Sequence, residues 1–364
     1  MSIASPRAAR TGRTGAPATT HRPKIRPRAV HRNDVIVTVA SAMSSFALVW
    51  VFYYRLTPFA GIQGFLLLWF AAFLFIHFLA VAEHEDVSAA KDRTVSAAIT
   101  VVALTLIAIL AIIVAYVIYR GYRTLSLSFF KDTMQFNSSL SKATEGGGLH
   151  SLVGTIEQVA IAAFISVPLG VLTAVFLNEV GGRLRRPVRI FVDAMSGVPS
   201  IVAGLFIYAV WVSRFGFSGF AGALALSILM LPSVTRTTEV VLRLVPGGLR
   251  EASLALGAPE WKTVWGVVLP TARTGIITAT ILGVARIIGE TAPLRLTSFG
   301  ADTLNADPFS GAQDALPLYV YKWVRFPGVA NADRGWTAAF VLMMLVLVLF
   351  TLARAVGRRI GPRA

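Results

Sequence analysis

Eight long apolar runs alternate with short polar intervals along the chain. They fall at about Val35–Tyr54, Gly64–Ala82, Val95–Tyr119, Leu152–Leu177, Ile190–Trp211, Phe220–Leu242, Thr271–Pro293 and Trp336–Val356. Each is close to the roughly 20 residues that cross a bilayer core as a helix. The runs are continuous and do not alternate with period two, which argues against a β-barrel. The pattern predicts an all-α integral membrane protein, a polytopic helix bundle. Pro168 and Gly170 predict a kink in the fourth run. Between the last two runs, LPLYVYKWV reads as a short helix at the outer interface.

One polar interval has structure of its own. In Leu249–Ile276, residues Leu249, Ala252, Ser253 and Leu256 recur at i, i+3, i+4, i+7, which is helical spacing. Gly257 follows, and Pro259 comes next but one. Glycine suits the left-handed residue past a helix end, and proline suits the first turn of the next helix. Trp261, Val264, Trp265 and Val268 then repeat the spacing. The expectation is two short amphipathic helices joined by a tight turn, with Pro270 opening a membrane helix. Such a pair either docks its apolar faces on a partner or lies among lipid headgroups.

Composition agrees with a membrane chain. Of 364 residues 55% are hydrophobic and 14% charged, against about 25% charged in a soluble domain. The net charge of +16 would suit nucleic-acid binding. The basic residues, however, sit in the tails and short loops, as the positive-inside rule requires. GGRLRRPVR after the fourth run and GRRIGPR near the C-terminus mark the cytoplasmic side. The tail with Arg7, Arg10, Arg13, Arg22, Lys24, Arg26, Arg28 and Arg32 is kept there too, near anionic lipid. Eight spans, with both termini in the cytoplasm of a plasma-membrane protein, satisfy these signals. The chain divides into a disordered basic tail (1–33), an extra transmembrane pair (34–94), a third span with an extracytoplasmic loop (95–150), a permease-like domain (151–357) and a short cytoplasmic tail (358–364). The permease-like domain contains the polar loop 243–270. Cysteine is absent, which excludes disulfide and thiolate chemistry.

Charged residues inside spans are the candidates for chemistry. Arg286 and Glu290 in RIIGE are four apart and would share a helix face. An arginine inside a span costs about 2.5 kcal/mol or more, so it needs a polar surrounding. Its planar fork of donors fits an oxyanion, and Glu290 would moderate the charge. A structural ion pair, or snorkelling to the outer interface, is the alternative. Arg236 and Glu239 in LPSVTRTTEVVL, three apart, allow the same two readings at the inner end of their span. GVPSIVAG (197–204) would bend its helix, lining a path or permitting close packing. No metal set, catalytic triad or phosphate loop is visible. A passive channel or scaffold is the rival from another class, and an intramembrane enzyme has no nucleophile–base pair to work with.

REASLALGAPEWKTVWGVVLP resembles the cytoplasmic loop of permeases of binding-protein-dependent ABC importers. Glu251, Ala252, Gly257, Val267, Leu269 and Pro270 fit the family pattern, with Ser253 in place of a second alanine. GVPSIVAG, MLPSVTRTTEVVL and RIIGETAPL resemble the phosphate-importer branch over roughly 154–296; Val240 stands where that branch has a second acid. The tail and first two spans lie outside the resemblance. It implies a MetI-like core of about six spans plus the extra N-terminal pair, acting as the membrane subunit of an ATP-driven phosphate importer. Molybdate or sulfate is the alternative cargo. It implies a substrate path at Arg286, Glu290, Arg236 and Glu239, and ATPase coupling through Glu251, Ala252, Gly257, Leu269 and Pro270. It further implies a homologous permease (PstC), two copies of an ATPase (PstB) holding ATP and magnesium, and a phosphate-binding protein (PstS). No nucleic acid is implied, and the chain itself would bind no cofactor.

Overall fold

A computed structural model describes residues 32–58, 61–84 and 86–360. The expected disordered tail lies outside them up to His31, as do residues 361–364 of the C-terminal tail. The apolar runs fold as helices: α1 (Arg32–Val51), α2 (Ile62–His84), α3 (Val87–Arg123), α4 (Leu149–Val175), α5 (Arg185–Ser196), α6 (Ser200–Ile207), α7 (Ser213–Phe215), α8 (Gly219–Arg243), α9 (Gly247–Ala255), α10 (Glu260–Thr263), α11 (Leu269–Ile287), α12 (Ala292–Thr297), α13 (Leu316–Arg325) and α14 (Val329–Ile360). Among the described residues, seven helical stretches are long and apolar enough to cross a membrane, and the bent pair of α5 with α6 and α7 would make eight.

The chain forms two units, 1–109 and 110–364, divided within α3. In the first, Val49, Tyr53 and Phe65 bury one another between α1 and α2. The Trp69 indole N–H donates to the Ala42 carbonyl at 3.1 Å, and Arg93 pairs with Asp34 at 2.7 Å. In the charged stretch 83–93, Glu83 and His84 end α2 and residues 87–93 already belong to α3.

The second unit is built on α8. Two thirds (67%) of its most apolar stretch is buried, against 28% for α4 and 17% for α14, so α8 is the central helix. Small residues let its neighbours approach. A Cβ at Gly170 of α4 would lie 2.9 Å from Val234, and one at Gly275 of α11 only 2.2 Å from Val241. Backbone proximity of this kind replaces the hydrophobic drive that membrane helices lack. Pro168 lies inside a continuous α4. At the end of the bundle away from α9, Phe129 and Met134 of the 124–148 loop pack with Tyr319 and Trp323 of α13. The short helix expected at LPLYVYKWV is therefore present and half buried.

One expected bend is present, and one expected helix start is corrected. The run 190–211 is a helix bent by 104° between Ser196 and Ser200. Pro199 has no N–H to continue α5, and the residue before a proline is driven out of helical backbone. The stretch after Gly257 differs, because Pro270 does not open a separate helix. Glu260–Ile287 is continuous and passes the proline through a π-helical turn, Val264–Val268, where the Leu269 N–H donates to the Val264 carbonyl. A proline ring clashes with the carbonyl four residues back; the wider turn relieves that clash, so the helix runs on.

Candidate functional site

The helix pair after α8 is anchored from below and open above. Arg250 of α9 makes a two-pronged pair with Glu179 at 3.0 and 2.8 Å. The same guanidinium donates to the carbonyls of Val245 (2.8 Å) and Leu242 (2.9 Å) at the end of α8. The motion of α9 is thus tied to the ends of α4 and α8 at once. Gly257 has φ +81°. Its N–H donates to Leu254 O (2.9 Å) and the Ala258 N–H to Ser253 O (3.2 Å), the two bonds of a Schellman cap. Across the turn, the Ser253 and Thr263 hydroxyls lie 2.8 Å apart.

The pair's outer surface is apolar and unoccupied by this chain. Leu249, Leu254, Leu256, Trp261 and Trp265 are all exposed, Leu256 to 89%. The second amphipathic pattern divides, because Val264 and Val268 turn inward while the two tryptophans face out. Of the residues expected to couple, Glu251, Ala252, Gly257 and Pro270 are exposed and Leu269 is half buried.

Glu239 sits beside this assembly, 2% exposed. Its carboxylate accepts from Arg236 at 2.7 Å and Arg243 at 2.5 Å, and from Arg189 of α5. Arg236 also pairs with Asp193. Burying a carboxylate without partners costs several kcal/mol, and three arginines remove that penalty. Arg236 and Glu239 therefore lie in a closed network that clamps α5 to α8. The sequence paired only two of these five residues. Arg189 and Asp193 are far from Glu239 in the chain, and the packing of α5 on α8 brings them to it.

Arg286 and Glu290 do not share a helical face. The α11 helix ends at Ile287, Ile288–Gly289 form a turn, and the Glu290 N–H closes it onto the Ile287 carbonyl at 3.0 Å. Among the described residues no ion pair joins the two. Arg286 is exposed and Glu290 half exposed. The segment that follows packs on GVPSIVAG: a Cβ at Gly204 would lie 2.6 Å from Pro293 Cα. Two stretches singled out in the sequence thus meet, one ending a helix and the other restarting one. Interrupted helices at membrane depth are tolerated where they are buried in protein or line a cavity.

Residues 166–363 match the family of binding-protein-dependent transport system inner membrane components. The chain belongs to this family. As a permease of that kind it is a multi-pass membrane transport subunit. The match begins inside α4 and includes the bent pair, the Glu239 network, the α9–α10 turn and Arg286. The permease is similar to the phosphate transport system permease protein PstA 1 of Mycobacterium tuberculosis (strain CDC 1551 / Oshkosh), 43% identical over 250 residues, which are 68% of this chain and 82% of the relative. It is also similar to PstA of Mycobacterium leprae (strain TN), 43% identical over 237 residues, 64% of this chain and 78% of the relative. PstA of Pasteurella multocida (strain Pm70) is 35% identical over 240 residues, 65% and 84%. A chain of the MetNI methionine ABC transporter aligns with a TM-score of 0.47 at 20% identity, covering 57% of this permease and 94% of that chain.

Proposed function

We propose that the permease is the membrane subunit of an ATP-driven importer of inorganic phosphate and forms the path together with a homologous permease, PstC. The observation that carries this reading is the 43% identity with a phosphate permease across 82% of that relative's length. One PstB subunit, holding ATP and magnesium, docks on the exposed α9–α10 surface and a second on the partner permease; PstS delivers phosphate at the opposite end. The arginine-rich loops support placing both termini in the cytoplasm. What supports docking is the combination of an open apolar face and a rigid attachment. An unpartnered patch with two tryptophans fits a groove on a partner. The Arg250–Glu179 pair then carries displacement into α4, and the continuous Glu260–Ile287 helix carries it to Arg286.

Arg286 supplies a cation that needs no proton to be charged and a donor fork suited to phosphate. Exposed on this chain, it faces whatever packs against α11, and a path shared between two permeases places it at their junction. Glu290, beyond the helix end, keeps the local charge from trapping the anion. In this reading the Glu239 network holds the frame while α9 moves, and Arg236 and Glu239 act by keeping α5 in place. Replacing Arg286 with Gln is expected to abolish phosphate uptake while the complex still purifies intact. Normal uptake by that variant would overturn the assignment. Excess molybdate or sulfate that displaces labelled phosphate uptake would assign another oxyanion. Uptake insensitive to ATP depletion, with no ATPase captured on purification, would point to a passive channel.

A further inference from the structure

At the end of the bundle opposite α9, a cavity of about 500 Å³ opens between the segment 295–302 and α13. Arg295, Lys322 and Arg325 line it, with Asp302 and Asp314. Lys322 is held by Asp302 at 2.5 and 2.6 Å. Among the described residues neither arginine has a carboxylate partner. Arg295 donates to the Phe299 carbonyl at 2.7 Å and lies over that ring at 4.9 Å. Arg325 donates to the Tyr321 hydroxyl and lies over its ring at 5.0 Å.

The wall that orients Arg295 is strained. Phe299 has φ +69° and is the one non-glycine residue with positive φ among the described residues. For a bulky side chain this backbone is unfavourable and persists only where the surroundings impose it. Here the Phe299 N–H is fixed to the Leu294 carbonyl at 3.1 Å. The flanking Ser298 carbonyl accepts from Gln313 at 3.1 Å, and the ring packs on Phe217 at 4.8 Å. That backbone directs the Phe299 carbonyl and ring to Arg295, so the guanidinium is positioned in advance of any ligand.

The floor is Asp314, 6% exposed. Ser151 of α4 donates to its Oδ2 at 2.5 Å, and His150 Nε2 lies 3.5 Å from the same oxygen. Asp302 faces it from the loop, and Lys322 and Tyr319 from α13. Burial pushes its carboxyl up to about 7, more than the Ser151 bond pulls it down. At neutral pH the floor is therefore partly protonated and can donate. With Asp302 set against the three cations, the cavity carries one to two net positive charges.

We propose that this cavity is a binding site for a tetrahedral phosphate-type oxyanion, held by Arg295, Arg325 and Lys322 over the Asp314 carboxyl. Arginine forks match such oxygens two at a time. Free phosphate and the phosphate of an anionic lipid headgroup share this chemistry. The site is separate from Arg286 and does not depend on what the permease transports.

The test uses the membrane complex of the two permeases and the ATPase, purified without the phosphate-binding protein and carrying Arg286→Gln, so that neither that protein nor the path contributes binding, in phosphatidylcholine nanodiscs. Calorimetric titration with inorganic phosphate is expected to show saturable binding, weakened at least tenfold by Arg295→Gln together with Arg325→Gln. Both side chains are exposed, so the double variant should fold; its melting temperature checks this. Sulfate, which does not titrate near neutrality, is expected to bind several-fold tighter at pH 6 than at pH 8, with the difference reduced by Asp314→Asn. If the ligand is a headgroup, free phosphate will not bind. Nanodiscs containing phosphatidylglycerol will then raise the melting temperature of the parent but not of the double variant. Equal behaviour of parent and double variant in both arms overturns the proposal. Wild-type uptake is the separate measure of the transport reading: its loss in Arg286→Gln with cavity binding retained leaves both in place.

Discussion

At Glu239 one buried carboxylate faces three guanidinium groups, and the consequence of neutralising it can be estimated. Breaking a buried pair costs about 3–5 kcal/mol, and partial exposure of the arginines screens this towards the lower figure. Glu239→Gln is therefore expected to destabilise the solubilised complex by about 3 kcal/mol, read as a fall in melting temperature, with Glu239→Asp intermediate. An unchanged melting temperature would show that the clamp between α5 and α8 is not structural. Asp314 gives a pH-dependent expectation. Its folded value near 7 lies above the unfolded value of about 3.9, so the folded chain binds more protons between these limits. Stability from this group is present at low pH and declines as pH rises from about 4 to 7, by roughly 3–4 kcal/mol across the window. Asp314→Asn should remove that part of the slope, measured as the difference between the two melting curves against pH. Of these surroundings only the Arg236–Glu239 pair was legible in the sequence. Ser151 and Asp314, or Arg189 and Glu239, are joined only when distant segments fold together.

Among elements, legibility followed the hydrophobic pattern and failed at its punctuation. Seven of the apolar runs appear as helices, the third and last extended at both ends and the seventh shifted to Glu260–Ile287, because length and hydropathy largely decide whether a segment crosses a bilayer. Gly257 was readable because a left-handed position past a helix end has few occupants; its φ and both cap bonds agree. Pro270 was misleading, since proline ordinarily interrupts a helix and here a π turn absorbs it. Gly289 was underweighted: a turn there detaches Glu290 from the face that spacing assigned to it. These elements carry a prediction. A β-branched residue at Gly257 meets no atom within 4 Å, so its penalty is one of backbone alone, about 1–2 kcal/mol. Gly257→Val is expected to leave the protein in the membrane at normal level while ATP hydrolysis by the complex no longer drives uptake. Uptake matched to hydrolysis as in the parent would separate the turn from coupling. Arg250→Ala removes the tie to Glu179 without touching the exposed face, so it should retain ATPase capture on purification and lose transport.

For the whole molecule, the two ends of the bundle differ in kind. One end offers tryptophans and leucines on a hinged pair; the other closes over buried polar contacts and a cationic cavity. Between them runs Glu260–Ile287, unbroken from the exposed pair to the last turn bearing Arg286. At 1.5 Å per residue the distance from Glu260 to Arg286 is roughly 40 Å. A helix that long acts as a lever. A tilt of roughly 5° at the docked end would sweep the Arg286 end through roughly 3 Å, about the length of one hydrogen bond. A grip on an anion could thus be made or released by a swing too small to repack the core around α8.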